Sequence, residues 1–487
     1  MRSPQTAVSP SALKCFGIFL ATFGLCVGFS ADALAQRYQQ KRASLTEKEA
    51  KALTRNLTTI MRGNSLTNAD KEMLSKYFKG YYFPTMTEQD PKSLGELSEF
   101  REDLFKLYIN QAKAKVTRDY LIELTGREMG SIALGNYHPA VRYNAVLLIG
   151  MLDEVAGTAG RGGKPPVPWK KGTNVLLILL EKDSLGKGDK AVMIPASAKV
   201  GALVGLQRHA RFGIEEALND RVTLAAMKII DQKEPAEGVK KDVHAWIRCL
   251  AAHVLVTQFE KSANQTVLDA VTSLVADPEM QLNDRCYAAS LLGDLKLEGV
   301  ANLEVQPTTI ALVNLAKRVM ESEAKLAKKF RKKELGLDDR RAGGFGGGRG
   351  GYGGGEYGGG YGGGEFGGGY GGGFGGTSRK KENTYELRRL VDRINGLIDG
   401  MEQVAKASPE ASQQLQPLVD PLNTLSDNAV DKDASIVNIA TSVISLSDEI
   451  TRLAAAMQPG DAAAEKPAAA DAFEEPAAED EPVEAAG

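Results

Sequence analysis

One pattern limits what this chain can fold into. An arginine near the head of an apolar helix rich in small residues occurs three times between Leu104 and Leu297. Arg142 stands in a run where Val141, Ala145, Leu148, Leu152 and Val155 recur at helical spacing. Arg285 heads a second run, with Cys286, Ala289, Leu292 and Leu295, and Arg248 a third, less regular one. An alanine lies three residues beyond each arginine (Ala145, Ala251 and Ala288), and Gly150 and Gly293 lie eight beyond Arg142 and Arg285. Small residues let a neighbouring helix approach closely, and helix pairs that cannot bury a core alone do so by stacking. The expected fold class is all-α: a short irregular α-solenoid, then a disordered Gly-rich linker, then a small C-terminal helical hairpin or bundle.

Pro139-Ala-Val-Arg142-Tyr-Asn-Ala145-Val-Leu-Leu-Ile-Gly150 resembles the second helix of a HEAT/armadillo-like helical repeat. Asp277-Pro278 through Arg285-Cys-Tyr-Ala-Ala-Ser-Leu-Leu-Gly293 resembles another copy, and the resemblance covers residues 103–300. It implies that the arginine and a polar residue near the turn tie successive repeats together, here Arg142 with Asn136 and Arg285 with Asp277. The arginines are 106 and 37 residues apart, and Lys199, preceding Ala202, is a candidate for a degenerate copy between the first two.

Composition divides the rest. Residues 1–35 read as a signal peptide: Arg2 and Lys14 give a positive start, Cys15 to Phe29 is an uncharged apolar run, and Ala33-Leu-Ala35 places small residues at a cleavage site. Its removal takes two of the four cysteines, leaving Cys249 and Cys286 on apolar helices as buried thiols or as one disulfide. Residues 36–97 form an N-terminal helical and aromatic cap, and 98–302 the HEAT-like array, interrupted by a Gly/Pro-rich insertion at 157–173. A charged helix occupies 303–342. Gly343–Gly376 holds 24 glycines in 34 residues, with a tyrosine or phenylalanine every four or five residues after the first; it has too little side chain to pack a core. Residues 383–458 carry two apolar stripes, Leu387 to Ile398 and Ile436 to Leu453, separated by Pro417 and Pro421. These stripes must pair with each other, self-associate or dock a partner helix. The tail, 459–487, is acidic, Ala/Pro-rich and expected to be disordered.

No reacting constellation stands out. There is no His-Glu-x-x-His, no phosphate loop ending in Gly-Lys-Ser/Thr and no Gly-x-Ser-x-Gly turn. The expectation is therefore no enzyme, no catalytic residue, no cofactor and no metal. Candidate partner-binding residues are Arg161, Trp169, Lys170 and Lys171 in the insertion, and Tyr81, Tyr82 and Phe83 in the aromatic stretch. Trp169 folded back on the array, and the aromatics serving as a terminal cover, are the structural alternatives. The order of segments resembles that of exported Planctomycete proteins, with two stretches adding to the likeness: Lys79-Gly-Tyr-Tyr-Phe-Pro-Thr-Met-Thr87, and Leu97–Leu107 with its Ser98-Glu-Phe-Arg-Glu-Asp-Leu-Phe105. That resemblance implies export and brings no activity. The expected function is a non-catalytic scaffold in the periplasm, cell envelope or medium of a bacterium. It would hold protein partners, or an envelope polymer, rather than nucleic acid, with no membrane span once the signal is cleaved. Self-association would run through 383–458. The alternatives are an adhesive envelope component acting through the Gly/Tyr tract, and a hydrolase or enzyme accessory with an unrecognised carboxylate site.

Overall fold

The computed structural model describes residues 38–158, 162–188, 191–335 and 385–457. The expected signal peptide, the Gly/Tyr tract, the acidic tail and Arg161 lie outside the described residues. Within them the fold is all-α, with two short antiparallel strand pairs between helices. The chain divides into two compact units, Met1–Ala225 and Ala226–Gly487.

In the first unit, α1 (Glu47–Arg62) and α2 (Asn68–Tyr77) both start on a capping box. Thr46 and Thr67 accept the N–H of Glu49 and Asp70, whose carboxylates accept the threonine N–H in return. Two π-helical turns, Phe78–Tyr82 and Leu104–Ile109, flank α3 (Leu97–Asp103) and bring Tyr77, Phe78, Tyr82, Phe83 and Tyr108 into one ring cluster. Its hydroxyls are satisfied inside it. Tyr77 and Tyr108 share a hydrogen bond of 2.9 Å, and Tyr82 donates to the Phe100 carbonyl at 2.6 Å.

Next come α4 (Lys115–Leu134) and α5 (Pro139–Met151), then β1 (Asp153–Val155) paired with β2 (Val167–Pro168), then α6 (Lys170–Glu181). β3 (Ser184–Leu185) pairs with β4 (Val192–Met193), ahead of α7 (Ala196–Phe212) and α8 (Glu216–Asp231). α4 packs on α5, and α5 packs on α7. The α5–α7 crossing is as close as backbones allow, since a Cβ on Gly150 would sit 2.6 Å from the Gly205 Cα. The insertion is shorter than its composition suggests. β1 and β2 clamp its base and α6 already begins at Lys170, because Lys170-Lys-Gly-Thr173 holds no proline and leads directly into the apolar run.

The second unit holds α9 (Lys241–Phe259), α10 (Gln265–Ala276), α11 (Leu282–Gly293), α12 (Gln306–Glu334), α13 (Leu387–Ala407), α14 (Pro409–Val430) and α15 (Ile436–Met457). α11 packs on α9, α10 and α13, α12 packs on α10 and α15, and α14 packs on α13 and α15. The three arginines of the sequence pattern do one job in both units. Arg142 Nε donates to the Ala133 carbonyl at 3.0 Å, Arg248 Nε to Ile230 at 2.9 Å and Arg285 Nε to Val275 at 2.8 Å. Each satisfies a carbonyl that the end of the preceding helix leaves open. Arg248 Nη1 also reaches the Asp277 carboxylate at 2.7 Å, which ties one helix pair to the next. The polar partner expected for Arg285, Asp277, serves Arg248 instead.

The C-terminal helices are not a separate tethered module. α13 lies on α11 and α15 on α12, within the second unit. Both apolar stripes are used there: Leu390, Ile394 and Leu397 are buried on one helix, and Ile439, Val443 and Ile450 on the other. Both stripes are thus covered within the chain. The residues between them form a third helix, α14, with Pro417 and Pro421 inside it. Pro417 is exposed and Pro421 half-buried, so water can satisfy the carbonyls that lose an N–H, while Leu415, Leu418, Leu422 and Leu425 hold the other face in the core.

Two features seat α13. A Cβ on Gly396 would lie 2.6 Å from the Cys286 carbonyl oxygen, and one on Gly400 would collide with that of Ala289. Glu323 of α12, fully buried, accepts from Tyr385 Oη at 2.8 Å, Arg389 Nε at 3.1 Å and Arg393 Nη1 at 2.7 Å. Cys249 and Cys286 are free, buried thiols, and burial pushes Cys286 up to about 12. Gly400→Leu will destabilise the second unit by about 1–3 kcal/mol or more, because the clash is with backbone that cannot rotate away. Urea unfolding of this unit, followed by hydrogen exchange in 282–293, checks it.

Candidate functional site

The candidate residues of the insertion and the aromatic stretch turn out mostly structural. The Trp169 indole is 5% exposed and lies over Gly126 of α4, where a Cβ would collide with the ring, and against Gly172 of α6. The Trp169 backbone N–H donates to the Leu152 carbonyl at 2.9 Å. Lys170 and Lys171 are exposed and face carboxylates, Glu215 at 3.9 Å and Glu123 at 2.9 Å. Tyr82 and Phe83 are buried in the ring cluster, and Tyr81 is half-buried beside it. Trp169, Tyr82 and Phe83 are therefore corrected from contact residues to core: each is large and apolar, and each has a glycine or another ring to pack on.

A different surface, in the second unit, carries exposed aromatic and charged groups together. α9 is apolar toward its neighbours, but Asp242, Trp246 and His253 share one of its faces, being spaced four and seven residues apart. Trp246 is 39% exposed. α11 packs beside α9 and presents Asp284 and Tyr287 toward it. The Trp246 and Tyr287 rings meet at 5.0 Å, tilted by 45°. Tyr287 is pinned from behind, its hydroxyl 2.6 Å from His253 Nδ1 and the two rings edge to face at 5.9 Å. Tyr287 is therefore braced, and the Trp246 ring on it is open to solvent.

Carboxylates stand before and after this pair along the helices that carry it. Burial, and after it the Asp242 charge, push Asp284 up to about 6. Burial, Glu402 and Asp294 raise Asp399, which α13 brings alongside α11. Asp294, two turns beyond Tyr287 along α11, also contributes to raising the Tyr287 phenol, behind burial and Cys249. Among the described residues none of Asp242, Asp284, Asp294, Asp399 and Glu402 forms an ion pair. Arg393, at the edge of this surface, is engaged by Glu323 and by Asn283 at 2.7 Å each. The result is an aromatic platform bordered by negative charge that the described residues leave unpaired.

A shallow recess on another face of α9 includes His244, Arg248, Asp277 and Glu279. Its buried polar groups already satisfy one another: Arg248 with Asp277, and His244 Nε2 with the Gln232 carbonyl at 2.7 Å. Among the described residues no three His, Cys, Asp or Glu side chains converge in a way that could hold a metal ion. Comparison with protein-family models, with curated proteins and with solved structures returns no match, so the reading of the surface rests on its own chemistry.

Sequence reasoning missed this surface. The one local signal was Asp242 and Trp246, an acid and a tryptophan one turn apart on an otherwise apolar helix. Asp284 and Tyr287 come from the next pair of helices, and Asp399 and Glu402 from more than a hundred residues further on.

The raised carboxyl of Asp284 makes it a liability to the fold at neutral pH. A group whose pKa is higher folded than unfolded costs stability once pH rises from its unfolded value, near 3.8, through its folded value, near 6. Asp284→Asn will be more stable than the parent at pH 7 by about 1–2 kcal/mol, a figure reduced from the full pKa difference because solvent reaches part of the carboxylate. The gain shrinks as pH falls toward 4, and urea unfolding at the two pH values measures it.

Proposed function

We propose that this chain is an exported, non-catalytic scaffold of the bacterial periplasm or cell envelope that docks a protein partner on a helical-repeat surface. The aromatic and acidic face of α9, α11 and α13 carries this reading. An exposed tryptophan braced by a second ring, with unpaired carboxylates around it, costs the folded chain stability and gives it no core contact in return. Such an arrangement is retained where a partner uses it. Aromatic anchors surrounded by polar groups are the usual centre of a protein-binding patch. Export is supported by the composition of residues 1–35. Among the described residues no helix is long and apolar enough to cross a membrane.

A photo-crosslinking amino acid at Asn283, which borders the face, tests the reading in native cells against the same group at the exposed Lys48 of α1. A single recurrent adduct from position 283, absent from position 48, is expected. Equal, diffuse labelling from both positions would contradict docking at this face.

A further inference from the structure

We propose that the Trp246–Tyr287 face receives an arginine-bearing basic segment of the partner protein, a guanidinium lying on the Trp246 indole between carboxylates of α9, α11 and α13. This rests on the docking reading above and adds the chemistry of what docks.

Charge complementarity decides the class of partner. Asp242 stands one turn before Trp246 on α9 and Asp284 one turn before Tyr287 on α11, Asp294 stands two turns beyond Tyr287, Asp399 packs against Gly293, and among the described residues none of them has an ion-pair partner. An acidic segment would meet like charge at every approach. A purely apolar one would bury these carboxylates without a counter-charge, which costs more than the apolar contact returns. A positively charged segment removes the repulsion among the carboxylates as it binds. The exposed indole then decides which cation. The face of an aromatic ring is the negative part of its quadrupole, and tryptophan has the strongest field of the natural rings. A guanidinium is planar and weakly hydrated, so it stacks on the indole while its edge N–H groups reach the carboxylates; an ammonium is a compact, strongly hydrated point charge that gains less from stacking. Tyr287 is held against the indole by the His253 hydrogen bond to its hydroxyl. Acid before and after the aromatic pair along its helices fits a segment with more than one basic residue, the central one on Trp246.

Fluorescence anisotropy with the full mature chain tests this, using labelled hexa-arginine, hexa-lysine and hexa-glutamate peptides at physiological salt. Hexa-arginine should bind about fivefold more tightly than hexa-lysine, and hexa-glutamate should not bind. Trp246→Leu, which keeps apolar bulk but has no π face, should erase the margin between arginine and lysine. The double variant Asp242→Asn/Asp284→Asn should weaken both cationic peptides about tenfold. The acidic residues of 459–487 supply the control. If hexa-arginine binding survives both variants and disappears when 459–487 is removed, the tail is an unspecific polycation site and the proposal is overturned. Absence of hexa-arginine binding overturns it as well. In that case a crosslinked adduct at position 283 would leave the docking reading standing, whereas its absence would remove both.

Discussion

The fold depends on places where one helix backbone lies directly against another with no side chain between them. Gly150 meets Gly205 where α5 crosses α7, and Gly396 and Gly400 meet the Cys286 and Ala289 carbonyls where α13 crosses α11. A glycine inside a helix costs about 1 kcal/mol in propensity, so such crossings persist only where packing offsets it. They do so by bringing Cα–H groups onto carbonyl oxygens and many atoms into dispersion range. They also define the register. Because the helices touch through backbone, sliding one past the other by a turn would drive a Cβ into a carbonyl.

Glu323 works with the glycines on α13. A buried carboxylate with one ring hydroxyl and two guanidiniums around it adds little to net stability over an apolar replacement, but leaving it without those donors is expensive. It therefore selects the one placement of α13 on α12 that supplies Tyr385, Arg389 and Arg393 together. The Phe330 and Tyr385 rings meet at 6.1 Å, so the chain that leaves α12 at Leu335 is described again beside the same helix. The segment 336–384 thus begins and ends in one unit and does not join two separate modules. Seating α13 in this way also brings Asp399 against Gly293 of α11, where its charge adds to that of Asp294.

Much of this was legible in the sequence because it is local. Arg142, Arg248 and Arg285 recur before small-residue helices, and all three cap the preceding helix. Gly150 and Gly293 recur at one offset, and both stand at close crossings. Helix periodicity located most of the elements. What escaped is non-local. An apolar stripe reads the same whether it will meet its own hairpin, another copy or a helix a hundred residues upstream, so the docking of α13 and α15 was invisible. Pro417 and Pro421 looked like a break because propensity says nothing of which side of a helix faces water. Trp169 looked like a contact residue because the glycine it covers, Gly126, lies on another helix. The acidic face is assembled from three helices, and none of them alone carries more than two of its carboxylates.

The second unit depends on α13, α14 and α15 being part of its helical stack. Hydrogen exchange of the full chain, compared with a chain ending at Leu335, tests this most directly. Removing the C-terminal helices should expose the α11 and α12 backbones, raising exchange across 282–293 and 306–334 while leaving α4 and α5 unchanged. Equal protection of α11 and α12 in both chains would contradict it, and would return the C-terminal helices to the status of an independent module.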